Sequence, residues 1–184
     1  MKTEIIFAGF GGQGILLMGK ILAQSVMTEG KNVSFLPSYG PEMRGGTCNC
    51  SVVISDEQIA SPIIDSMNIL VAMNQPSFVK FSGSEKISDG GTIFINESLV
   101  ELDEKAEADF NNRKIEIVKG PFTKLASDIG NIRICNMVAI GKFIRKTKLA
   151  SKKVVIEQMK ELTDKFQELQ EINEKAIDAG YELI

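Results

Sequence analysis

The chain of 184 residues contains 43% hydrophobic and 24% charged residues and has a formal net charge of −3. This length and apolar fraction predict one globular domain with a core and exclude global disorder. The chain has no histidine and only three cysteines, which excludes imidazole-based catalysis and leaves too few thiolates for a four-cysteine zinc or iron–sulfur site.

The same counts bear on the compartment and on the kind of partner. An odd, small number of cysteines is typical of a reducing interior rather than of a disulfide framework. The first residues lack the apolar run of a signal peptide, and no stretch approaches the roughly 18 apolar residues of a membrane helix. We therefore expect a cytoplasmic protein without membrane contacts. The mildly acidic balance and the lack of a recognisable motif argue against nucleic acid.

The first elements predict a β–α–β unit. Residues 4–8 (EIIFA) are a short apolar run typical of a strand, and the glycine turn of residues 9–14 (GFGGQG) follows at once. Residues 15–28 carry apolar side chains at helical spacing. Residues 32–36 (NVSFL) then predict a second strand, which ends at Pro37.

The rest of the chain predicts an α/β fold. Further strands are expected at residues 49–55, 68–73, 91–96 and 114–118, and helices from Gln75 and over residues 121–129 and 132–148. A heptad-like stripe predicts one more helix through Val155, Met159, Leu162, Phe166 and Leu169. We expect a single domain over residues 1–184: an α/β core over 1–148, with a mostly parallel sheet flanked by helices, and a C-terminal helical segment over 149–184.

The glycine turn matches the pattern G-x-G-x-x-G, which allows a tight turn and directs the N–H groups of the next helix at an anion. Dinucleotide sites also need an acidic residue near the end of the second strand. Phe35, Leu36 and Pro37 stand there instead, which disfavours NAD. Two interpretations stay open: an anion or phosphate site, or glycines that serve only the turn and the helix packing.

A second loop, residues 37–46 (PSYGPEMRGG), carries Arg44 between glycines, with Tyr39 and Glu42 nearby. An arginine beside a phosphate-binding turn is suited to a carboxylate or phosphate, but Glu42 is also a ready partner. Because both loops follow strands of the β–α–β unit, we expect them at the carboxyl edge of the sheet, where α/β proteins bind ligands.

Three segments together resemble the gamma subunit of 2-oxoacid:ferredoxin oxidoreductases. They are residues 9–23 (GFGGQGILLMGKILA), 36–55 (LPSYGPEMRGGTCNCSVVIS) and 134–141 (ICNMVAIG). The resemblance covers about residues 4–148, and it implies a Rossmann-like fold. The middle segment is most similar to the 2-oxoglutarate type, with the 2-oxoisovalerate type close behind and the indolepyruvate type ranked below both.

The resemblance implies a multi-subunit oxidoreductase that converts 2-oxoglutarate to succinyl-CoA and CO2 and reduces ferredoxin. Thiamine diphosphate, Mg and iron–sulfur clusters then belong to partner subunits: thiamine-binding alpha and beta subunits, with or without a small ferredoxin-like subunit. This chain has no Gly-Asp-Gly thiamine motif. We therefore expect an accessory subunit that completes the active-site region, is not catalytic alone and holds no metal, although it could contact CoA.

The resemblance also implies which residues face the shared active site: Gly11, Gly12, Gln13, Gly14, Tyr39, Arg44, Gly45 and Gly46. For Arg44 we favour a contact between subunits over a contact with CoA phosphate or substrate carboxylate. A different class of function stays open, a free-standing nucleotide- or phosphate-binding regulatory protein.

Two weaker features remain. Asn136 lies in an apolar helix, where its amide either bonds a nearby backbone group or pins a loop or interface. Residues 142–153 contain six basic side chains, which are either solvated or available to an acidic partner.

Overall fold

A central sheet with helices on both sides organises the protein. The computed structural model describes residues 2–38, 47–83 and 86–183. The strands are β1 (Lys2–Phe10), β2 (Asn32–Ser38), β3 (Thr47–Ser55), β4 (Met67–Ala72), β5 (Ile87–Asn96) and β6 (Glu116–Gly120). The helices are α1 (Ile15–Thr28), α2 (Gln75–Phe81), α3 (Glu104–Asn112), α4 (Phe122–Ile129), α5 (Cys135–Thr147), α6 (Lys152–Leu162) and α7 (Gln170–Glu182), with 3₁₀ turns at Ile132–Ile134 and Asp164–Leu169.

The sheet has the strand order β2-β3-β1-β4-β5-β6, and every strand except β3 runs in the same direction. This confirms the predicted mostly parallel α/β sheet. The strands of the predicted β–α–β unit are not neighbours, however, because β3 lies antiparallel between β2 and β1. A short connection can join antiparallel neighbours, whereas parallel neighbours need a long crossover, so the chain turns back along β3 directly after β2.

Alternating side chains of the strands build two apolar layers. In β1, Ile5 and Phe7 face the larger layer, which α1 and α4 to α7 cover. Ile6 and Ala8 face the smaller layer, which α2 and α3 cover. Burial on both faces is typical of parallel strands, and it explains why these strands are almost continuously apolar in sequence.

The C-terminal segment packs into the larger layer through a close crossing of α5 and α7. Ala176 and Ile177 of α7 are fully buried there. Gly141 of α5 and Gly180 of α7 lie at the crossing, and a methyl group on Gly180 would overlap the carbonyl group of Val138. The absence of side chains at these two positions therefore allows the helix backbones to touch.

Two sequence predictions for helices need correction. The predicted heptad helix is wrong beyond Leu162, because α6 ends there and Phe166 has a non-helical backbone (φ −126°, ψ 52°). Helix α3 was not predicted, because only Phe110 among its nine residues is buried and its apolar pattern is weak. No helix within the described ranges is long and apolar enough to cross a membrane.

Candidate functional site

The glycine turn links β1 to α1 at the carboxyl edge of the sheet. The N–H of Gln13 donates to the carbonyl of Phe10 (3.1 Å) and closes the turn. Gly12 and Gly14 have positive φ values, +96° and +70°, a backbone conformation that favours glycine. The sequence pattern is thus explained in part by the backbone shape that these two positions require.

The side chain of Gln13 fills the inside of this turn. Its Oε1 accepts from the backbone N–H of Phe10 (2.7 Å) and from Nδ2 of Asn74 (2.9 Å), while its Nε2 donates to the carbonyl of Met73 (3.3 Å). A Cβ on Gly9 would lie only 2.7 Å from Oε1 of Gln13. One amide therefore ties the end of β1 to the end of β4 and uses an N–H group of the turn internally.

The hydrogen-bond network continues to the next strand. Asn74, 2% exposed, also caps α2 by accepting from the N–H of Ser77 (2.9 Å). Asn96 ends β5, is fully buried and donates to the carbonyl of Met73 (3.4 Å) and to Oγ1 of Thr123 (2.7 Å). The side chains that join the ends of β1, β4 and β5 are amides and a hydroxyl, none of which titrates near neutral pH. This network can hold the edge rigid, but it supplies no acid or base.

Asn136 brings the third of the segments that carry the family resemblance, residues 134–141, onto the glycine turn. It is 3% exposed, and its Nδ2 donates to the carbonyl of Gly14 (3.3 Å). A Cβ on Gly14 would lie 2.7 Å from Cγ of Asn136, so glycine is required for this contact as well as for its φ angle. Of the two interpretations of Asn136, this contact fits the pinning of a loop, because the carbonyl that it bonds belongs to the glycine turn and not to a nearby residue of its own helix.

The first turn of α1 is open to a negative group. Gly14 caps the helix without a side-chain hydrogen bond, and no acidic residue lies in its first turn. The partial positive charge at the helix N-terminus is therefore not compensated by a side chain of α1. At the end of β2, Phe35 packs against the core, whereas Leu36 is exposed, in agreement with the lack of an acidic ribose ligand there.

Residues 39–46 of the second predicted loop lie outside the described residues, and with them Tyr39, Arg44, Gly45 and Gly46. The prediction that the second strand ends at Pro37 is wrong, because Pro37 and Ser38 still pair with β3. The residues that flank residues 39–46 are described. Ser38 pairs with Asn49, and Thr47 pairs with Phe10, the last residue of β1. The chain therefore leaves and re-enters the sheet at its carboxyl edge, beside the glycine turn.

The profile of the pyruvate ferredoxin/flavodoxin oxidoreductase family matches residues 4–183. The chain belongs to this family. The match includes α7 and so extends beyond the residues on which the predicted resemblance rested.

Two curated relatives of this family member differ in length. It is 37% identical to the 2-oxoglutarate synthase subunit KorC of Methanocaldococcus jannaschii, over 100% of this chain and 94% of that protein. It is 40% identical over 140 residues to the ketoisovalerate oxidoreductase subunit VorA of Methanothermobacter thermautotrophicus, which covers 76% of this chain but 27% of that protein. The chain therefore spans only about a quarter of VorA.

Solved structures confirm the predicted fold and the predicted resemblance. The keto/oxoacid ferredoxin oxidoreductase gamma subunit of Geobacter sulfurreducens is 29% identical, with a TM-score of 0.77 over 98% of this chain and 96% of that one. A 2-oxoglutarate:ferredoxin oxidoreductase chain of Magnetococcus marinus, whose structure contains 2-oxoglutarate, coenzyme A and succinyl-CoA, is 23% identical. Its TM-score is 0.85, over 98% of this chain and 30% of that chain, and it supports the fold alone.

The cysteines of this family member lie in apolar surroundings. Cys50 is fully buried, and its Sγ lies 3.6 Å from the carbonyl oxygen of Ile15. Burial raises the pKa of the Cys48, Cys50 and Cys135 thiols. Over the described ranges, no group of three or more potential ligands is placed to hold a metal ion.

The six basic side chains of residues 142–153 are mostly paired within the chain. Five of its six side chains contact an acidic group, a carbonyl or an aromatic ring: Lys142 with Leu183, Arg145 with Tyr181, Lys146 with Glu116, Lys152 with Asp178 and Lys153 with Glu157. These positive charges are thus largely engaged, which weakens the case for this run as a surface for an acidic partner.

Sequence reasoning identified Gln13 and Asn136 but missed Asn74, Asn96 and Thr123. A signal existed for Asn74 and Asn96, since Asn74 lies two residues after the buried strand β4 and Asn96 ends β5. Polar residues at the carboxyl ends of parallel strands converge on one edge. Their mutual hydrogen bonds could not be read from the sequence, because they depend on the strand order.

Proposed function

We propose that this chain is the gamma-type subunit of a multi-subunit 2-oxoacid:ferredoxin oxidoreductase. The observation that carries the proposal is the similarity to the 2-oxoglutarate synthase subunit KorC along the whole chain. The neutral network of Gln13, Asn74 and Asn96 supports a positioning role rather than a catalytic one, since proton transfer needs a group that titrates.

The reaction of the complex is the oxidative decarboxylation of 2-oxoglutarate. Its C1–C2 bond breaks to release CO2, the acyl carbon forms a thioester with the sulfur of coenzyme A as the thiol releases its proton, and the two electrons reduce oxidised ferredoxin. Thiamine diphosphate with Mg would supply the carbon chemistry, and iron–sulfur clusters would carry the electrons, all on the thiamine-binding alpha and beta subunits and any ferredoxin-like subunit. This chain would bind none of these groups alone.

The contribution of this chain is the carboxyl edge of its sheet. Gly11, Gly12, Gln13 and Gly14 would face the active-site region that the subunits share, and the uncapped start of α1 suits a negative group such as a CoA phosphate. Tyr39, Arg44, Gly45 and Gly46 are proposed to line the same region. For Arg44, a contact with a partner subunit is preferred over a contact with CoA or substrate.

Co-purification and activity test the proposal together. The tagged chain is isolated from its own host, and the complex is assayed for CoA-dependent dye or ferredoxin reduction with 2-oxoglutarate. We expect thiamine-binding chains to co-purify, and activity to be lost when this chain is withdrawn and restored when it is added back. A chain that stays monomeric, beside a complex that is fully active without it, would contradict the proposal.

The role of Arg44 is tested with Arg44→Lys in the assembled enzyme, because lysine keeps the charge but loses the planar fork of donors. Arg133→Lys is the matched control, since Arg133 is exposed and its side chain makes no hydrogen bond with any residue that the structure describes. A loss of assembly supports the contact between subunits, and a raised KM for CoA or oxoacid supports the ligand contact. Unchanged assembly and unchanged KM values would exclude both.

A second substrate has a specific observation in its favour, the 40% identity to a ketoisovalerate oxidoreductase subunit. Comparing kcat/KM for 2-oxoglutarate, 2-oxoisovalerate, pyruvate and indolepyruvate decides between the types. A free-standing nucleotide-binding role is tested by calorimetry on the isolated chain. Micromolar binding there would favour that role, although the side chain of Gln13 already occupies the inside of the glycine turn.

A further inference from the structure

The turn between α6 and α7, residues 164–169, is fixed at both ends. Thr163 is buried, and its hydroxyl donates to the carbonyl of Met159 (2.7 Å). At the other end, Nε2 of Gln170 donates to the carbonyl of Lys160 (3.0 Å). These bonds hold the 164–169 turn against α6.

Two large apolar side chains stand out from this turn. Phe166 is 56% exposed and Leu169 is 37% exposed, and the 3₁₀ segment contains no buried residue. Both belong to the heptad stripe whose first members, Val155 and Met159, are fully buried. A continuous helix would have kept the stripe on one face, so the break at Thr163 turns its last two members outward.

Three exposed carboxylates lie close to these side chains in sequence. Glu161, Asp164 and Glu168 are exposed and make no ion pair with any described residue. The neighbouring lysine Lys160 is instead engaged with Glu174. Lys165 is the one exposed cation within the turn, so the exposed charged side chains next to the apolar pair in sequence, which we call its rim, are predominantly negative.

We propose that the 164–169 turn docks into an apolar pocket with a lysine- and arginine-rich rim on the larger, thiamine-binding subunit of the complex. Aromatic anchors with a charged rim are typical of protein interfaces, and opposite charges on the two rims favour association. A second copy of this chain would place carboxylates against carboxylates, which disfavours self-association through this turn. This inference rests on the proposed function.

The length of VorA supports a partner that is a different protein rather than a second copy of this chain. In VorA the matching region is 27% of the protein, so most of that chain is further sequence joined to it. The same domain is covalently joined to further sequence in VorA. We therefore infer that this chain contacts a separate chain equivalent to that further sequence. The negative charges of the turn favour a positively charged surface on that partner.

The test compares variants of the full chain in the assembled complex. Phe166→Ser with Leu169→Ser removes the apolar anchor, and Asp164→Lys with Glu168→Lys reverses the rim. Val79→Ser is the matched control, because Val79 is 65% exposed and lies on α2, in the layer on the opposite face of the sheet. Melting of the isolated variants verifies folding, since none of these side chains is buried.

We expect each turn variant to weaken association with the thiamine-binding chain by about ten-fold or more, as measured by titration, while Val79→Ser binds like the wild type. Raising the salt from about 0.1 M to about 1 M should weaken wild-type binding more than binding of the variant with the reversed rim. Turn variants that assemble like the wild type, or an equal loss in Val79→Ser, would overturn the inference. If the wild-type chain itself does not bind, the proposed function fails instead.

Discussion

Gly180→Ala tests the crossing of α5 and α7 that joins the C-terminal helix to the core. The added Cβ would lie 2.7 Å from the carbonyl carbon of Val138 and 3.1 Å from the backbone nitrogen of Lys142, and closer still to the Val138 oxygen. All three atoms are backbone atoms of α5. They can make room only if the two helices move apart.

The magnitude is the difference of two opposing effects. Overpacking a close-packed site costs about 1–3 kcal/mol, and the upper end applies here because no flexible side chain can yield. Alanine in a helix interior returns about 1 kcal/mol relative to glycine. We therefore expect a net loss of about 2 kcal/mol in the free energy of unfolding, which lowers the Tm of a chain of this size by about 4–8 °C.

Thermal and urea unfolding, followed by circular dichroism, measure this loss. Gly83→Ala is the control, because a Cβ at Gly83 would meet no atom within 4 Å, and we expect it to leave the Tm unchanged or slightly raised. Gly141→Ala, at the facing position, should behave like Gly180→Ala. A Gly180→Ala protein with wild-type or higher stability would refute the close backbone contact.

Three further predictions concern single groups. Asp103→Ala removes the N-cap of α3, where the carboxylate accepts from the N–H of Ala106, and should lower the free energy of unfolding by about 1 kcal/mol in urea titration. Burial raises the pKa of the Cys50 and Cys135 thiols, so neither should react with a thiol reagent at neutral pH until the chain is denatured; rapid labelling of either in the native chain would contradict their burial. The Lys31 ammonium is the largest of the nearby positive charges that lower the pKa of Asp56 to about 2. The pair therefore stabilises the fold above about pH 4, weakly because it is exposed to solvent, and ceases to do so as the pH falls towards 2. In Lys31→Met, the decline of Tm over this interval should be shallower, and an unchanged decline would exclude the pair as its cause.

The elements that the sequence predicted correctly are those with strong local signals. The strand at residues 4–8, the glycine turn and the helix α1 each show a pattern that depends on a few adjacent residues. The insertion of β3 between β2 and β1 was out of reach, because strand order depends on contacts between distant residues. Helix α3 had a usable signal, an aspartate before a first turn with Glu104 and Glu107.

The heptad stripe shows why spacing alone does not determine burial. Val155 and Met159 reach the core, but the surface that Phe166 and Leu169 would need is not available to them. Helix α7 lies against α5 instead, and its Ala176 and Ile177 are buried there. A spacing pattern indicates which side chains share a helix face, whereas their burial depends on which element packs against that part of the core.

The side chain of Gln13 limits which N–H groups the glycine turn can offer to an anion. An amide oxygen offers two lone pairs, and here Phe10 and Asn74 occupy them. The turn therefore cannot offer the N–H of Phe10 to a phosphate without breaking a bond that also ties β1 to β4. In this family member the glycine pattern serves first to join two strand ends and to seat Asn136, and any anion must bind at the remaining N–H groups at the start of α1. A sequence fingerprint for nucleotide binding thus marks a rigid joint at the edge of the sheet in this chain.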